Sequence, residues 1–597
     1  MKKISYYIGM ALFLFSNISC SDYLDKEYDA SLDIKQVFNN KDLTRGFLAN
    51  IYTNLPDGLA PLTDDQFTAA SRDCMTDNAI TYWGLHYYTK IGNDGYTAAD
   101  HPLLGFWNTN LYGIRKCNIF LKNAKASVIG NNLQEGDDNM LYDRNCAEAK
   151  LLRAIFHFDL ICWFGNTPII AEDENDEPII LDIDNPDDMN MERTDAALAL
   201  EWVADQCDQI KDILPFRYSD ETSNWGRVNG AAAYALKTRA LLYRASKLYN
   251  PTNDLAHWEK AAQAATDFFE MNNEQAVPYR LYNTGTPEND YYECFTTNPV
   301  YNNEIILSRS IWNTNQVEKV FLPVGFAGKF TSAGRTNPTQ NFVDAFEMAN
   351  GKRIDEINSG YDETNPYANR DPRLAQTVFY QGMTWGRADK GEERTIDVRY
   401  NSESDQGRDY KSSMGGTYTG YYLKKFVNNI ACTDPAVFPH SWNIFRYAEI
   451  LLNAAEAINE AYGPAEAYPY VNEVRERAGM PAYADMTQTE LRERIRNERR
   501  IELSFEDQRY FDVRRWMLFE NTDADEEQGL PRYKQLLNLY GVKVTGTAAA
   551  PTYTFGFAET VNTRTFISPK SYYFGAPDKP CGVGRADANP KLLLNDT

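Results

Sequence analysis

Aromatic rings and hydrogen-bonding side chains are concentrated in one short stretch of this 597-residue chain, between Arg72 and Tyr88. Flat rings can stack on the apolar C–H face of a sugar, while neighbouring amides and carboxylates bond its hydroxyl groups. In shallow sites of this kind, a few aromatic anchors supply most of the affinity. We therefore predict a sugar-binding loop made by Asp73, Asp77, Asn78, Tyr82, Trp83 and His86. The alternative is that Trp83 packs under the loop as core.

Two later segments offer the same chemistry. Tyr301 precedes a short apolar run, Ile305–Leu307, and Trp312 and Asn313 follow that run. Trp385 lies in a glycine-rich stretch further along the chain. Loops laid over a scaffold are where binding residues tend to lie, so we add these four side chains to the predicted site.

The sequence carries no motif for catalysis or metal binding. Its five histidines are not at metal-ligand spacing, and its nine cysteines form no CxxC pair. Neither a GxSxG nucleophile motif nor a glycine-rich phosphate loop occurs. A glycosidase needs two carboxyl groups about 5 to 9.5 Å apart, and nothing in the sequence marks such a pair. We predict a binding protein that is not an enzyme and has no cofactor; a structural calcium ion stays open.

Charge is dense between Glu493 and Trp516. We interpret this segment as a buried ion-pair network that ties helices together, not as a set of catalytic carboxylates and arginines. We extend the same interpretation to Arg446 with Glu449 and Glu456. The charged side chains of the main segment are Arg494, Arg496, Glu498, Arg499, Arg500, Glu502, Arg514 and Arg515.

The formal net charge is -24 at neutral pH. Such a field repels nucleic acids and other anionic polymers at long range, so we expect no nucleic-acid partner. It favours a neutral ligand, although a local basic pocket could override the overall charge.

The first twenty residues resemble a lipoprotein export signal. Lys2 and Lys3 precede an apolar run, Ile4–Phe15, which is too short to span a bilayer. Cys20 then stands where a lipobox cysteine receives its diacylglycerol, and the acidic stretch after it resembles the surface-export signal of Bacteroidetes lipoproteins. The alternative is ordinary secretion with Cys20 incidental. We predict a signal peptide over 1–19 and a lipid-anchored acidic linker over 20–40.

Apolar residues recur at helical spacing in two regions, which we predict as a helical scaffold over 41–274 and 441–520. Glycine, asparagine, tyrosine and proline dominate 275–440, where we expect ligand-side loops with short strands at 304–311 and 418–426. Residues 521–597 are irregular, and 41–597 is taken as one unit. Trp225 and Trp442 are undecided, whereas helical spacing predicts core positions for Trp107, Trp163, Trp258 and Trp516. Free buried thiols are predicted at Cys117, Cys146, Cys162 and Cys207.

Five segments occur together in one order along the chain. They are AEAKLLRAIFHFDLICWFG (147–165), WGRVNGAAAYALKTRALLYRASKLY (225–249), FRYAEILLNAAEAINEA (445–461), VNEVRERAG (471–479) and ERIRNERRIELSFEDQRYFDVRRW (493–516). With the lipoprotein start, they resemble the SusD/RagB family of outer-membrane nutrient-binding lipoproteins. The end of the chain keeps the family's Asn-Pro-x-Leu stretch at 589–592. It departs at 568–585, where Cys581 and added glycines leave the fold of the tail open.

The resemblance implies a mainly α fold, with four degenerate tetratricopeptide-like helix pairs and a large insertion of loops and short strands. It also implies a lipoprotein of the outer membrane that faces outward, captures a glycan and passes it to a SusC-like TonB-dependent transporter without cleaving it. Two alternatives stay open: the same role for peptides, and, from another class, an exported glycoside hydrolase.

Overall fold

Helices form the body of the molecule, and loops with short strands are inserted among them. In this computed structural model, the structure describes residues 33–82, 87–130, 141–181, 191–326, 331–413, 415–520, 526–555 and 561–575. The predicted signal peptide, Cys20 and the Asn-Pro-x-Leu stretch lie outside the described residues.

The long helices of the scaffold fall before and after a central insertion, which carries shorter helices of its own. The described α-helices are α1 Ile34–Val37, α2 Lys41–Ile51, α3 Tyr87–Gly92, α4 Leu104–Asn123, α5 Ala126–Ile129, α6 Leu141–Phe164, α7 Ala196–Ile210, α8 Gly230–Ala245, α9 Leu255–Asn273, α10 Pro287–Thr296, α11 Gln316–Phe321, α12 Gln340–Ala345, α13 Pro372–Thr377, α14 Tyr447–Tyr462, α15 Pro464–Arg477, α16 Gln488–Glu502 and α17 Arg509–Arg515.

The long helices pack in a single continuous series. α4 packs on α6, α6 on α7, α7 on α8 and α8 on α9; α9 then meets α14, which packs on α15 and α16. Small residues allow these close approaches, since Ala231, Ala235 and Ala240 of α8 are completely buried. The predicted mainly α fold of tetratricopeptide-like helix pairs is confirmed.

Local signals set the helix ends. The side chain of Asn229 accepts a hydrogen bond from the backbone N–H of Ala232 at the start of α8, 2.8 Å away. Gly463, at a positive φ of 97°, ends α14, and Pro464 begins α15 immediately after it.

The four tryptophans predicted as core are buried, and so is Trp442. The thiols predicted to be free are unpaired, with Cys146 only partly buried.

Within the described ranges, the strands form eight two-stranded antiparallel sheets. The longest ribbon pairs β2 with β12, from Phe438 opposite Thr314 to Arg446 opposite Ile305, with irregularities in register between His440 and Arg446. The strands are β1 Ala79–Thr81, β2 Ile305–Thr314, β3 Thr336–Pro338, β4 Val378–Phe379, β5 Thr384–Trp385, β6 Arg394–Thr395, β7 Tyr400–Ser402, β8 Asp405–Gln406, β9 Lys411–Ser412, β10 Gly415–Gly416, β11 Tyr422–Leu423, β12 Phe438–Arg446, β13 Asn538–Leu539, β14 Val542–Thr547, β15 Ala550–Phe555 and β16 Asn562–Thr563.

The charged segment 493–516 forms a buried network, as its composition predicts. Glu502 is completely buried, and it lies 2.8 Å from the guanidinium of Arg446 and 3.0 Å from that of Arg373. Arg477 pairs with the same carboxylate. Burying charges is costly unless they are paired, so this cluster keeps its charges by surrounding each with partners.

The partners predicted for Arg446 are wrong. Its guanidinium pairs with Glu304, Glu502 and Glu506. Glu449 is paired with Arg239, and Glu456 with Arg515. All three side chains take part in buried ion pairs, as the sequence interpretation holds, but packing between elements decides which residues pair.

Glu456 provides a test of what this network contributes. Its oxygens lie 2.6 and 2.7 Å from the Arg515 guanidinium, and Trp516 Nε1 donates to it at 2.6 Å. Glu456→Gln removes one of the two carboxylates, Glu456 and Asp512, that face the buried Arg499 and Arg515, so we expect the free energy of unfolding to fall by about 3 kcal/mol near neutral pH. Urea denaturation measures this loss, and unchanged stability would contradict the assignment.

The same carboxylate predicts a pH dependence. Burial raises the pKa of Glu456, but Arg515 and the other partners outweigh it and lower the pKa from 4.5 to about 2. Because the pKa is lower in the folded state, its stabilisation is complete above the unfolded value and is lost as pH falls from about 4.5 to about 2. In Glu456→Gln, the free energy of unfolding should therefore change less with pH over this same range. Asp389→Asn, at an exposed ion pair with Arg387, is the matched control. It should change neither the free energy of unfolding near neutral pH nor its dependence on pH.

Candidate ligand-binding site

Four tyrosines converge on the loop side of the molecule, and we call them the tyrosine platform: Tyr82, Tyr400, Tyr410 and Tyr418. Tyr82 stacks on Tyr418, with ring centroids 4.4 Å apart and planes 19° apart. Tyr400 stacks on Tyr410 at 4.7 Å and 23°. Tyr418 is 56% exposed and the other three are partly buried. The platform therefore presents aromatic surface to solvent while its underside packs against the fold.

A buried amide joins the two segments that carry the first ring pair. Asn337 lies on β3, opposite Ile80 of β1, and Tyr82 follows directly after β1. The Nδ2 of Asn337 donates to the carbonyl of Gly416 at 3.3 Å, and its Oδ1 accepts from the backbone N–H of Tyr418 at 3.4 Å. One side chain thus sets the position of β1 relative to the turn that carries Tyr418.

A hydroxyl fixes that turn itself. Thr417 Oγ1 accepts from the backbone N–H of Gly420 at 2.9 Å and from that of Tyr421 at 3.1 Å. It donates to the carbonyl of Tyr421 at 2.9 Å. Such side-chain bonds hold a turn without a regular ladder, so Tyr418 projects from a defined backbone.

The second ring pair is positioned by a buried carboxylate. Asp409, next to Tyr410, accepts two bonds of 2.6 Å from the guanidinium of Arg394. It also accepts from the backbone N–H of Asp397 at 2.9 Å. These contacts tie the residue beside Tyr410 to the segment that leads into β7, and Tyr400 begins that strand.

The rim of the platform is polar. The hydroxyl of Tyr400 donates to Glu403 at 3.4 Å, and Asn401 and Asp405 are exposed on the same hairpin. Burial, followed by the neighbouring Tyr400, raises the pKa of Tyr410, and burial likewise raises the pKa of Tyr82. These hydroxyls are therefore protonated near neutral pH and can both donate and accept.

A surface of aromatic rings, hydroxyl groups and a few amides and carboxylates is suited to holding a polar ligand by non-covalent contacts. Across the described ranges, no group of three or more His, Cys, Asp or Glu side chains could hold a metal ion. The arrangement offers stacking surface and hydrogen bonds to a polar ligand.

Three of the predicted site residues are buried under the platform's loop and are not open to a ligand. Asp77 pairs with Arg500 at 2.7 Å and with Arg509 at 2.8 Å, and these arginines lower its pKa although burial raises it. Asp73 accepts from Asn78 at 3.0 Å, and its burial raises its pKa to about 6. We therefore correct their predicted role, because they fasten the loop to α16 and α17.

Trp385 and Asn313, the two other predicted residues whose side chains the structure describes, contact other parts of the fold. The ring of Trp385 is partly buried against Phe379, and Lys424 Nζ lies 4.9 Å from its centroid. Asn313 is exposed on β2, opposite Pro439. The predictions for Trp83 and His86, and for the side chains of Tyr301 and Trp312, lie outside the described residues.

Tyr82 is the predicted residue that the structure places on the platform. Tyr400, Tyr410 and Tyr418 were missed, although they lie in a tyrosine- and glycine-rich stretch. That composition was a usable signal. The long-range contacts of Asn337, which bring Tyr418 to Tyr82, cannot be recognised in the sequence.

Gly416 gives a direct test of how the platform is built. A Cβ at this position would lie 2.8 Å from the ring of Tyr82 and 2.8 Å from the carbonyl of Tyr410. We expect Gly416→Ala to lower the free energy of unfolding by about 1 to 3 kcal/mol through overpacking. Gly105→Ala, on α4 with open space around the new methyl group, should be neutral or stabilising. Equal stability of the two variants would contradict the close packing under Tyr82.

Comparisons of the sequence show which known proteins this chain resembles. The SusD family matches residues 303–555, and a family described as starch-binding associating with outer membrane matches residues 22–242. SusD-like protein P25 of Formosa agariphila is 24% identical over 553 residues, covering 88% of this chain and 92% of that protein. SusD-like protein P2 of the same organism is 25% identical over 401 residues, covering 64% of this chain and 67% of that protein.

Solved structures share the fold. A SusD-like protein from Bacteroides fragilis superposes with a TM-score of 0.70 at 24% identity, covering 91% of this chain and 95% of that one. A SusD-like carbohydrate binding protein from the same species gives 0.65 at 22% identity, covering 93% and 99%. The two family matches together span more than three quarters of the sequence, and this chain therefore belongs to the SusD family.

Proposed function

We propose that this protein is a surface glycan-binding lipoprotein that captures a polysaccharide or oligosaccharide and delivers it to a TonB-dependent outer-membrane transporter. The observation that carries the proposal is the tyrosine platform, with an exposed ring at Tyr418 supported from below by Tyr82. The family context agrees with it, because the solved relatives include a carbohydrate binding protein and a surface glycan-binding protein from Bacteroides uniformis.

The chemistry of the platform favours a sugar. Tyrosine rings bury the apolar face of a pyranose, and their hydroxyls replace water around its polar edge. Stacked pairs are rigid before ligand arrives, so binding orders few side chains and costs little conformational entropy. The negative charge of the chain favours a neutral glycan at this surface.

Binding without cleavage is part of the proposal. The polar groups at the platform serve the fold or the rim: Asp409 is committed to Arg394, and Glu403 accepts from Tyr400. Pure protein incubated with a bound glycan should release no new reducing ends. Release of product would favour the hydrolase alternative.

Anchoring and delivery are proposed from the sequence and the family. No described helix is long and apolar enough to cross a membrane. We propose instead that an acylated Cys20 holds the protein to the outer membrane, facing outward. Mass spectrometry of the amino-terminal peptide tests this: a diacylglycerol on Cys20 supports it, and an unmodified Cys20 contradicts it.

The platform makes a mutational prediction. Affinity electrophoresis through gels containing neutral polysaccharides such as amylopectin, xyloglucan, galactomannan and levan should identify a ligand that retards the protein. Tyr418→Ala removes the exposed ring and should weaken that binding about tenfold or more, the effect of losing one aromatic anchor.

A matched control comes from the scaffold. Tyr462, at the end of α14, is 58% exposed, close to the 56% of Tyr418. Tyr462→Ala therefore removes an equally exposed tyrosine and should leave glycan affinity unchanged. If Tyr418→Ala and Tyr462→Ala retain the same affinity as wild type, the platform is not the glycan site.

A further inference from the structure

A well-formed cavity among the described residues lies away from the tyrosine platform. It has a volume of about 780 Å³ and opens between α2, the start of α6, the turn before α8 and strand β2. None of the four platform tyrosines lines it. Its size is that of a pocket for a small ligand.

The lining of this cavity is cationic in a strongly anionic protein. Four arginines and one glutamate line it, in a chain whose net charge is -24. The carboxylate is Glu148, and it is already engaged: Arg227 Nε and Nη2 lie 2.9 and 2.7 Å from its Oε2, and the hydroxyl of Tyr52 donates to its Oε1. The arginines are Arg45, Arg144, Arg227 and Arg309.

The arginines differ in how firmly they are held. Arg227 is fixed by the buried Glu148 and also donates to Asn145 at 3.1 Å. Arg309 donates to the carbonyl of Thr53 at 3.0 Å and pairs with the carboxylate of Asp57 at 3.5 Å. Arg45 is exposed on α2, and no carboxylate of the described ranges lies within ion-pair distance of it. The cavity thus combines guanidinium groups that are already held by ion pairs with one, on Arg45, that can turn toward a ligand.

Trp225 adds an aromatic wall and an unused donor. Its indole Nε1 is buried, and no described group accepts a hydrogen bond from it. The turn that carries it is tightly placed, since Gly226 has a φ of 74° and a Cβ there would lie 3.3 Å from the carbonyl of Ser308. A buried donor without an acceptor costs free energy that a ligand oxygen would recover.

We propose that this cavity is a second ligand site and binds an anionic sugar residue, one that bears a carboxylate or a sulfate group. The acid group pairs with the guanidinium groups, and the ring packs against Trp225. Donors outnumber acceptors in the lining, so an acceptor-rich anion fits better than a neutral sugar. The site requires neither the platform nor a transporter and therefore goes beyond the proposed function.

Calorimetry on the full chain tests the proposal with three probes of equal length: a galacturonate hexamer, a sulfated galactan hexamer and maltohexaose. We expect at least one of the two acidic probes to bind and maltohexaose not to bind at this site. The affinity should fall as salt is added, because partly exposed ion pairs are screened. Binding of one acidic probe alone identifies which acid group the cavity takes. Failure of both to bind overturns the proposal.

Two substitutions test whether the acidic probes bind in the cavity. Arg45→Gln, on an exposed face of α2, and Trp225→Phe, which keeps a ring but removes the N–H, should each weaken acidic binding about fivefold. Arg387→Gln, an exposed arginine on a different loop, is the matched control and should not. Unchanged affinity in both cavity variants overturns the proposal.

Two further outcomes are informative. Tyr418→Ala should retain acidic binding; its loss would move the acidic ligand to the platform and overturn the cavity site while leaving the proposed function standing. The acidic residues at 135, 137 and 138 precede α6 in the sequence and could occupy the cavity themselves. If acidic probes bind only after Glu135→Gln, Asp137→Asn and Asp138→Asn are combined, the cavity serves the chain's own segment and the proposal is overturned.

Discussion

Buried charges of helix α16 hold the loop side of this protein to its helical scaffold. Arg500 of that helix pairs with Asp77 in the loop that leads to the platform. Glu498 and Glu502 pair with Arg373, at the start of a helix in the central insertion. Charges removed from water are stable only while their partners stay in place. A shift of either loop would therefore leave an unpaired charge in the interior. This constraint gives the long loops defined positions that their own short strands could not provide.

That rigidity has a consequence for binding. An aromatic surface on mobile loops would have to be ordered by each ligand, whereas the platform rings are already stacked and supported. The cavity lined by Arg45, Arg144, Arg227 and Arg309 is also partly ordered in advance, because the buried Glu148 fixes Arg227 before any ligand enters. The overall charge favours neutral ligands, whereas arginines outnumber carboxylates in the lining of this cavity.

Much of the fold could be predicted because its signals are local. Helical spacing, small residues on α8 and the Gly463–Pro464 break are read directly from neighbouring residues. The site could be predicted only in part. Asp77 lies beside aromatic residues in the sequence, and nothing nearby shows that Arg509, 432 positions later, already neutralises it. Tyr418 was missed for the same reason, since its partner Tyr82 lies far away along the chain.

The central claim is that a glycan is held on Tyr418 by ring contact and hydrogen bonds alone. A crystal structure of the protein with a bound oligosaccharide tests it most directly. We predict an intact glycosidic chain with one sugar ring within about 4 Å of the Tyr418 ring. A sugar chain bound elsewhere, with the exposed face of Tyr418 empty, would contradict the claim.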